Sequence, residues 1–126
     1  MSNGNVELLK GAYDAFGRGD IPVVLGVLHE NVEWNVPEAV PHGRRVRGRD
    51  EVAGFFQGLG AMWSDFGLDI DDFIAEGDRV VVIGRAHGKY GETKTGYGFV
   101  HSWTMRDGVC VRFDEYVDPD AELLAR

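Results

Sequence analysis

The sequence predicts an α+β domain in which helices come first and an antiparallel meander of strands follows. Three observations carry this. Apolar residues of the first half recur at spacings of three and four: Val6, Leu9, Tyr13 and Phe16, then Val52, Phe55, Phe56, Leu59, Met62 and Trp63. From residue 66 onward the period changes to two. Gly77-Asp78, Gly91 to Thr95 and Asp107-Gly108 punctuate that half as turns, the last being a strong hairpin signal.

The elements follow in order. Gly17-Arg18-Gly19-Asp20 stops the first helix. Asp20 reads as the N-cap of a short second helix with Pro22 in its first turn, running to about Leu28. Val32-Glu33-Trp34-Asn35-Val36 alternates and stops at Pro37, so it is a short strand. Residues 37–48, rich in Pro, Gly and Arg, form a loop, and Asp50 can cap a third helix. Strands are predicted at 66–76, 79–90, 96–106 and 109–117.

A chain of 126 residues is expected to form one domain, 1–126, and a hydrophobic content of 44% lets it bury a core. The net charge is −8, with 21 acidic against 13 basic residues, which argues against nucleic acid as a partner. The cluster Arg44-Arg45, Arg47 and Arg49 reads as a solvated or interface segment. No apolar run reaches the roughly 18 residues of a membrane span. The first residues lack the pattern of a signal peptide, and a soluble, cytoplasmic protein is expected. One cysteine, Cys110, cannot form an internal disulfide or a cysteine-based zinc cage, and the four histidines are dispersed, so no metal is expected. His29 to Glu33 lacks the second histidine of a zincin helix, Gly84 to Lys89 misses the P-loop spacing, and Gly96-Tyr97-Gly98 lacks the third glycine of a dinucleotide fingerprint. No cofactor is expected.

Strand parity identifies candidate chemistry. The last strand places Glu115 in the row Val109, Val111, Phe113 and Val117. The strand before it places His101 in the row Tyr97, Phe99, Trp103 and Met105. The row Val81, Ile83, Arg85 and His87 runs from apolar residues into a cation and an imidazole. If these rows share the concave side of one sheet, Arg85, His87, His101 and Glu115 converge inside an aromatic chamber. Such a set supplies general acid–base chemistry for an apolar small molecule. Trp34, Phe55, Trp63, Tyr97, Phe99 and Trp103 are the candidate lining residues. His42 reads as a solvated loop residue.

The order of landmarks resembles the nuclear transport factor 2-like superfamily, in its SnoaL-like or ketosteroid-isomerase-like branch. The landmarks are Tyr13-Asp14-Ala15-Phe16-Gly17-Arg18-Gly19-Asp20, Val32-Glu33-Trp34, Gly48-Arg49-Asp50-Glu51-Val52-Ala53-Gly54-Phe55-Phe56, Gly77-Asp78-Arg79-Val80-Val81-Val82, Thr95-Gly96, His101 to Gly108 and Phe113 to Asp118. The resemblance implies a cone-shaped α+β barrel: three N-terminal helices closing over a strongly curved, mostly antiparallel sheet. It also implies a pocket between sheet and helices, and a homodimer packed sheet to sheet.

On the ketosteroid isomerase pattern the functional tyrosine, base and protonated acid fall at Ala12, near Val36 and at His101, so all three depart. On the limonene epoxide hydrolase pattern the functional positions fall at Arg85, His87 and Glu115, with the arginine kept, one Asp replaced by His and the other by Glu. SnoaL-type cyclases also place an acid near Glu115. The expectation is a cofactor-independent cyclase, isomerase, dehydratase or hydrolase acting on a hydrophobic oxygenated ligand. Glu115 and His87 would be base and acid, Arg85 would orient them or hold an oxyanion, and His101 would donate a hydrogen bond. The alternative is a non-catalytic ligand-binding or dimeric assembly domain of the same fold.

Overall fold

The computed structural model describes residues 2–118, with side chains from residue 4 onward. Three helices, α1 (Ser2–Gly17), α2 (Ile21–Gly26) and α3 (Arg49–Met62), pack on a six-stranded sheet. The strands are β1 (Leu28–Asn35), β2 (Arg45–Arg47), β3 (Trp63–Glu76), β4 (Arg79–Tyr90), β5 (Thr93–Arg106) and β6 (Val109–Val117). Their order is β2-β1-β6-β5-β4-β3, antiparallel throughout except for the parallel pair β1 and β6. The sheet is curved but open, with β2 and β3 as its edges, so the expected barrel is not closed.

Irregular register between Ser64 and Gly67 and between Ile70 and Asp72 lets the long β3 bend across the end of the sheet. Asp107 and Gly108 both adopt positive φ, 52° and 81°, as a two-residue hairpin turn requires. No helix among the described residues is long and apolar enough to cross a membrane.

Several boundaries differ from the sequence expectation. The second helix ends at Gly26, and the strand placed at 32–36 begins at Leu28. A short edge strand, β2, lies inside the predicted 37–48 loop and pairs with β1. Asp20 stands at the start of α2 without a side-chain cap bond. Gly48, with φ 88°, holds the cap position of α3, while Asp50 and Glu51 occupy its first turn. There their charges complement the positive end of the helix.

The core lies between the helices and the concave face of the sheet. Val80, Val82, Ala86, Tyr97, Phe99, Trp103, Met105 and Phe113 from the strands meet Leu9, Ala12, Val52, Phe55 and Leu59 from the helices. The ring of Trp34 stacks on Phe113 at 3.9 Å between centroids and meets Phe55, Phe56 and Trp103 edge-on.

Candidate active site

A cavity opens within this core between α1, α3 and the concave face. Its free volume is about 70 Å3. Trp34, Phe55, Leu59, Tyr97, Trp103 and Phe113 form its buried wall. Half-buried Phe16, Phe56 and Phe66 stand on its outer side, with Phe16 5.9 Å from Phe56 and 6.2 Å from Phe66 between ring centroids. Among the described residues the histidines and carboxylates that are buried are His42, His101 and Glu115, and all three line it.

Two hydrogen-bonded relays run through the cavity wall. In the first, Trp103 Nε1–H donates to Tyr13 Oη at 2.9 Å, Tyr13 Oη lies 2.5 Å from His101 Nδ1, and His101 Nε2 lies 2.9 Å from Glu115 Oε2. Indole nitrogen can only donate, so Tyr13 accepts from Trp103, and Nδ1 is the acceptor that lies within reach of its own buried proton. His101 then carries its proton on Nε2 and donates it to Glu115. Every group is used, and the relay ends on an acceptor, the Glu115 carboxylate. Burial pushes the Tyr13 hydroxyl well above the usual tyrosine range, against the Trp103 hydrogen bond and with the Glu115 charge adding to it, so Tyr13 keeps that proton.

The fold builds this relay from opposite sides. His101 and Glu115 are direct cross-strand partners in β5 and β6. Their side chains are only 8% and 6% exposed, so each needs the other to satisfy its polar atoms. Phe99 stacks on the His101 ring at 4.0 Å and 14°, which sets the plane of the imidazole. Gly84 in β4 makes room for Phe99, because a Cβ there would sit 2.9 Å from Phe99 Cζ and 2.3 Å from the Asp69 carbonyl. Tyr13 reaches the strands from α1.

In the second relay, Trp63 Nε1–H donates to His42 Nδ1 at 3.1 Å, and His42 Nε2 lies 3.2 Å from Tyr97 Oη. Nδ1 accepts from the indole, so the His42 proton sits on Nε2 and is donated to Tyr97. Burial lowers the His42 pKa to about 4, only partly opposed by the Glu115 charge, which keeps the ring neutral at physiological pH. Burial, reinforced by the charge of Glu115, raises the Tyr97 hydroxyl far above its usual range, so it too stays protonated. The loop carrying His42 is tied down by Val36 N–H to Arg44 O (3.0 Å) and Gly43 N–H to Val40 O (3.0 Å). Gly43 is pressed against Pro37, where a Cβ would lie 1.8 Å from the carbonyl oxygen.

The family model for the SnoaL-like domain matches residues 9–113. The chain belongs to the SnoaL-like family. This places it in the wider nuclear transport factor 2-like superfamily. No curated protein matches the chain. Among solved structures it is similar to an NTF2-like protein of unknown function from Burkholderia pseudomallei, 31% identical, with 99% of this chain and 97% of that chain covered and a TM-score of 0.89. It is similar to TerC co-crystallised with polyporic acid, 32% identical over 98% of this chain and 99% of that chain, with a TM-score of 0.86. A proposed polyketide cyclase from Xanthomonas campestris is 26% identical over 93% of this chain and 92% of that chain, with a TM-score of 0.81.

Within this SnoaL-like cavity the sequence-predicted residues divide. Glu115 and His101 are joined in it, and Trp34, Phe55, Tyr97 and Trp103 line it. Trp63 and Phe99 are buried one layer out, against His42 and His101 respectively.

Arg85 and His87 lie elsewhere, contrary to the parity reading. Both are exposed on the opposite, convex face, and His87 Nε2 lies 3.4 Å from Asp69 Oδ2 there. The reason is register. Gly91-Glu92 is a two-residue turn that pairs Tyr90 with Thr93, so even-numbered β4 residues share a face with odd-numbered β5 residues. Val82 is thus the neighbour of His101 and Ala86 of Tyr97, which turns Arg85 and His87 outward. The sequence reading also missed two residues. His42, expected in solvent, is 5% exposed, and Tyr13, read as part of an apolar helix face, supplies a hydroxyl to the relay.

Proposed function

We propose that this protein is a cofactor-independent enzyme that relocates a proton on a hydrophobic, oxygenated small molecule, with Glu115 as the base. One observation carries the reading: a carboxylate 6% exposed, held by a single oriented imidazole, lines a cavity whose other walls are aromatic and aliphatic side chains. Oε2 takes the His101 bond, so Oε1 remains to receive a proton. His101 holds the carboxylate in one rotamer and stabilises its charge by a charge-assisted hydrogen bond. Tyr13 and Trp103 hold the imidazole tautomer in turn. Double-bond isomerisation, aldol cyclisation and β-elimination of water on a carbonyl compound can each begin with removal of a proton beside the carbonyl. A ligand in TerC, polyporic acid, and the polyketide chemistry proposed for the Xanthomonas protein support an oxygenated aromatic as the class of ligand.

The free volume favours a second reading, a binding or assembly domain without catalysis. Small-molecule pockets occupy roughly 300–1,000 Å3, against about 70 Å3 here. Under the enzymatic reading the half-buried rings of Phe16, Phe56 and Phe66 turn aside when ligand enters. The convex face carries exposed Ile74 and Tyr116 and is the surface proposed to pair two copies of the chain, which sedimentation would register as a two-chain mass.

The deciding experiment uses α-tetralone, an aryl ketone with exchangeable hydrogens beside its carbonyl. Wild-type protein should catalyse exchange of those hydrogens for deuterium in heavy water. Glu115→Gln should slow the exchange by about 10²–10⁴-fold while leaving affinity nearly unchanged. Equal exchange by both proteins overturns the assignment of Glu115, and exchange no faster than in the absence of protein leaves the binding reading.

A further inference from the structure

The second relay ends differently from the first. Tyr97 Oη accepts the His42 Nε2 proton at 3.2 Å, so one of its lone pairs is occupied. It cannot return its own proton to His42, because Nδ1 of that ring is already accepting from Trp63 and Nε2 carries the ring proton. The Tyr97 proton therefore finds no acceptor within its own relay, although Tyr97 is 1% exposed and lines the cavity. A buried donor left without an acceptor is unfavourable, because it has lost its bond to water and gained none in return. Trp34 has the same property: its Nε1–H is the only buried side-chain polar atom without a partner among the described residues, and Trp34 lines the same cavity. Two unspent donors on the wall that also carries the Glu115 carboxylate describe a site shaped for a ligand oxygen.

We propose that Tyr97 donates its hydroxyl proton to the carbonyl oxygen of the ligand, held in that direction by the Trp63–His42 pair, and that the substrates are ketones or quinoid carbonyl compounds. This deepens the reading of Glu115 as the base and rests on it for catalysis, but not for binding. As Glu115 Oε1 takes the proton beside the carbonyl, the C–H electron pair moves into the C–C bond and the carbonyl π pair moves onto oxygen. The negative charge thus develops on the atom that Tyr97 holds. The proton later returns from Glu115 to carbon, at the same or a conjugated position. Tyr97 is a catalytic residue in this scheme, and His42 is a positioning residue that sets which way the Tyr97 proton points.

The test compares two probes with one skeleton, α-tetralone and tetralin, in which the carbonyl is a methylene. Affinities are read by quenching of tryptophan fluorescence. Wild-type protein should prefer α-tetralone. Tyr97→Phe should lose about ten-fold in affinity for α-tetralone and nothing for tetralin, whose unchanged binding reports an intact pocket. His42→Leu should lose the same preference. His42→Gln should restore it, because its amide oxygen can accept from Trp63 while its amide nitrogen donates to Tyr97. A wild-type protein without preference, or a Tyr97→Phe protein that keeps it, overturns the inference. Failure of Gln to rescue overturns the role of His42. These outcomes are independent of the Glu115→Gln exchange result, which tests the base alone.

Discussion

The two relays use the same three residue types and end on opposite chemistry. Trp103, Tyr13 and His101 are arranged so that the tyrosine lies inside the relay and spends its proton on the imidazole. Trp63, His42 and Tyr97 are arranged so that the imidazole lies inside and the tyrosine is terminal. Exchanging the order of His and Tyr turns a relay that delivers hydrogen bonds to a carboxylate into one that leaves a hydroxyl free to give. Residue composition alone does not specify a catalytic role here. The direction in which each proton points does: in the second relay the Trp63 indole makes His42 Nδ1 an acceptor, and in the first the buried Tyr13 proton has His101 Nδ1 as the acceptor within reach.

The comparison can be broken at several places. The largest effect should come from Glu115→Gln, with its loss of about 10²–10⁴-fold in exchange rate. That result would confine the base to the first relay.

Acid should strike the second relay. His42 has a folded pKa of about 4, below the roughly 6.5 of an unfolded histidine. The unfolded state therefore takes up a proton that the folded state refuses. Stability from this site is complete above about pH 6.5, falls as the pH drops, and levels off near pH 4. The full loss is about 3 kcal/mol. Thermal melts from pH 7 to pH 4 should show this slope in wild-type protein and a shallower one in His42→Gln. Equal slopes would contradict the burial of a neutral His42.

The two indoles should then separate. Trp63→Phe frees His42 to move its proton to Nδ1 and accept from Tyr97. The Tyr97 proton would be spent, and the preference for α-tetralone over tetralin should fall by about ten-fold. Trp103→Phe should cost about 2–3 kcal/mol in stability, from the lost hydrogen bond and the space the smaller ring leaves, read by denaturant unfolding, and leave that preference intact. Equal effects of the two substitutions on ligand preference would mean that relay direction is irrelevant.

Much of this was legible in the sequence. The helix faces, the turns at Gly77-Asp78 and Asp107-Gly108, and the inward rows of β5 and β6 carry clear periodicity, and those rows put His101 and Glu115 together. The phase of β4 was not legible from alternation, because Val80-Val81-Val82-Ile83 is apolar on both faces. Only the length of the turn after Tyr90 sets it, and reading five residues there in place of two turned Arg85 and His87 the wrong way. Counting a two-residue Gly91-Glu92 turn against the inward β5 row would have found the correct face. His42 carried no periodic signal at all, since it sits in a loop whose position is set by the packing of Gly43 on Pro37. Tyr13 did fall on the correct helix face, but a hydroxyl at the edge of an apolar stripe looks the same whether it meets solvent or an imidazole.

The most direct test of opposed relays is the tautomer of each histidine, read from the ring nitrogens by 15N nuclear magnetic resonance near pH 7. His42 should be neutral, and in both rings Nδ1 should be the hydrogen-bonded acceptor, with a proton on Nε2. A doubly protonated His101, or a proton on Nδ1 of either ring, would reverse the direction of that relay and contradict the account.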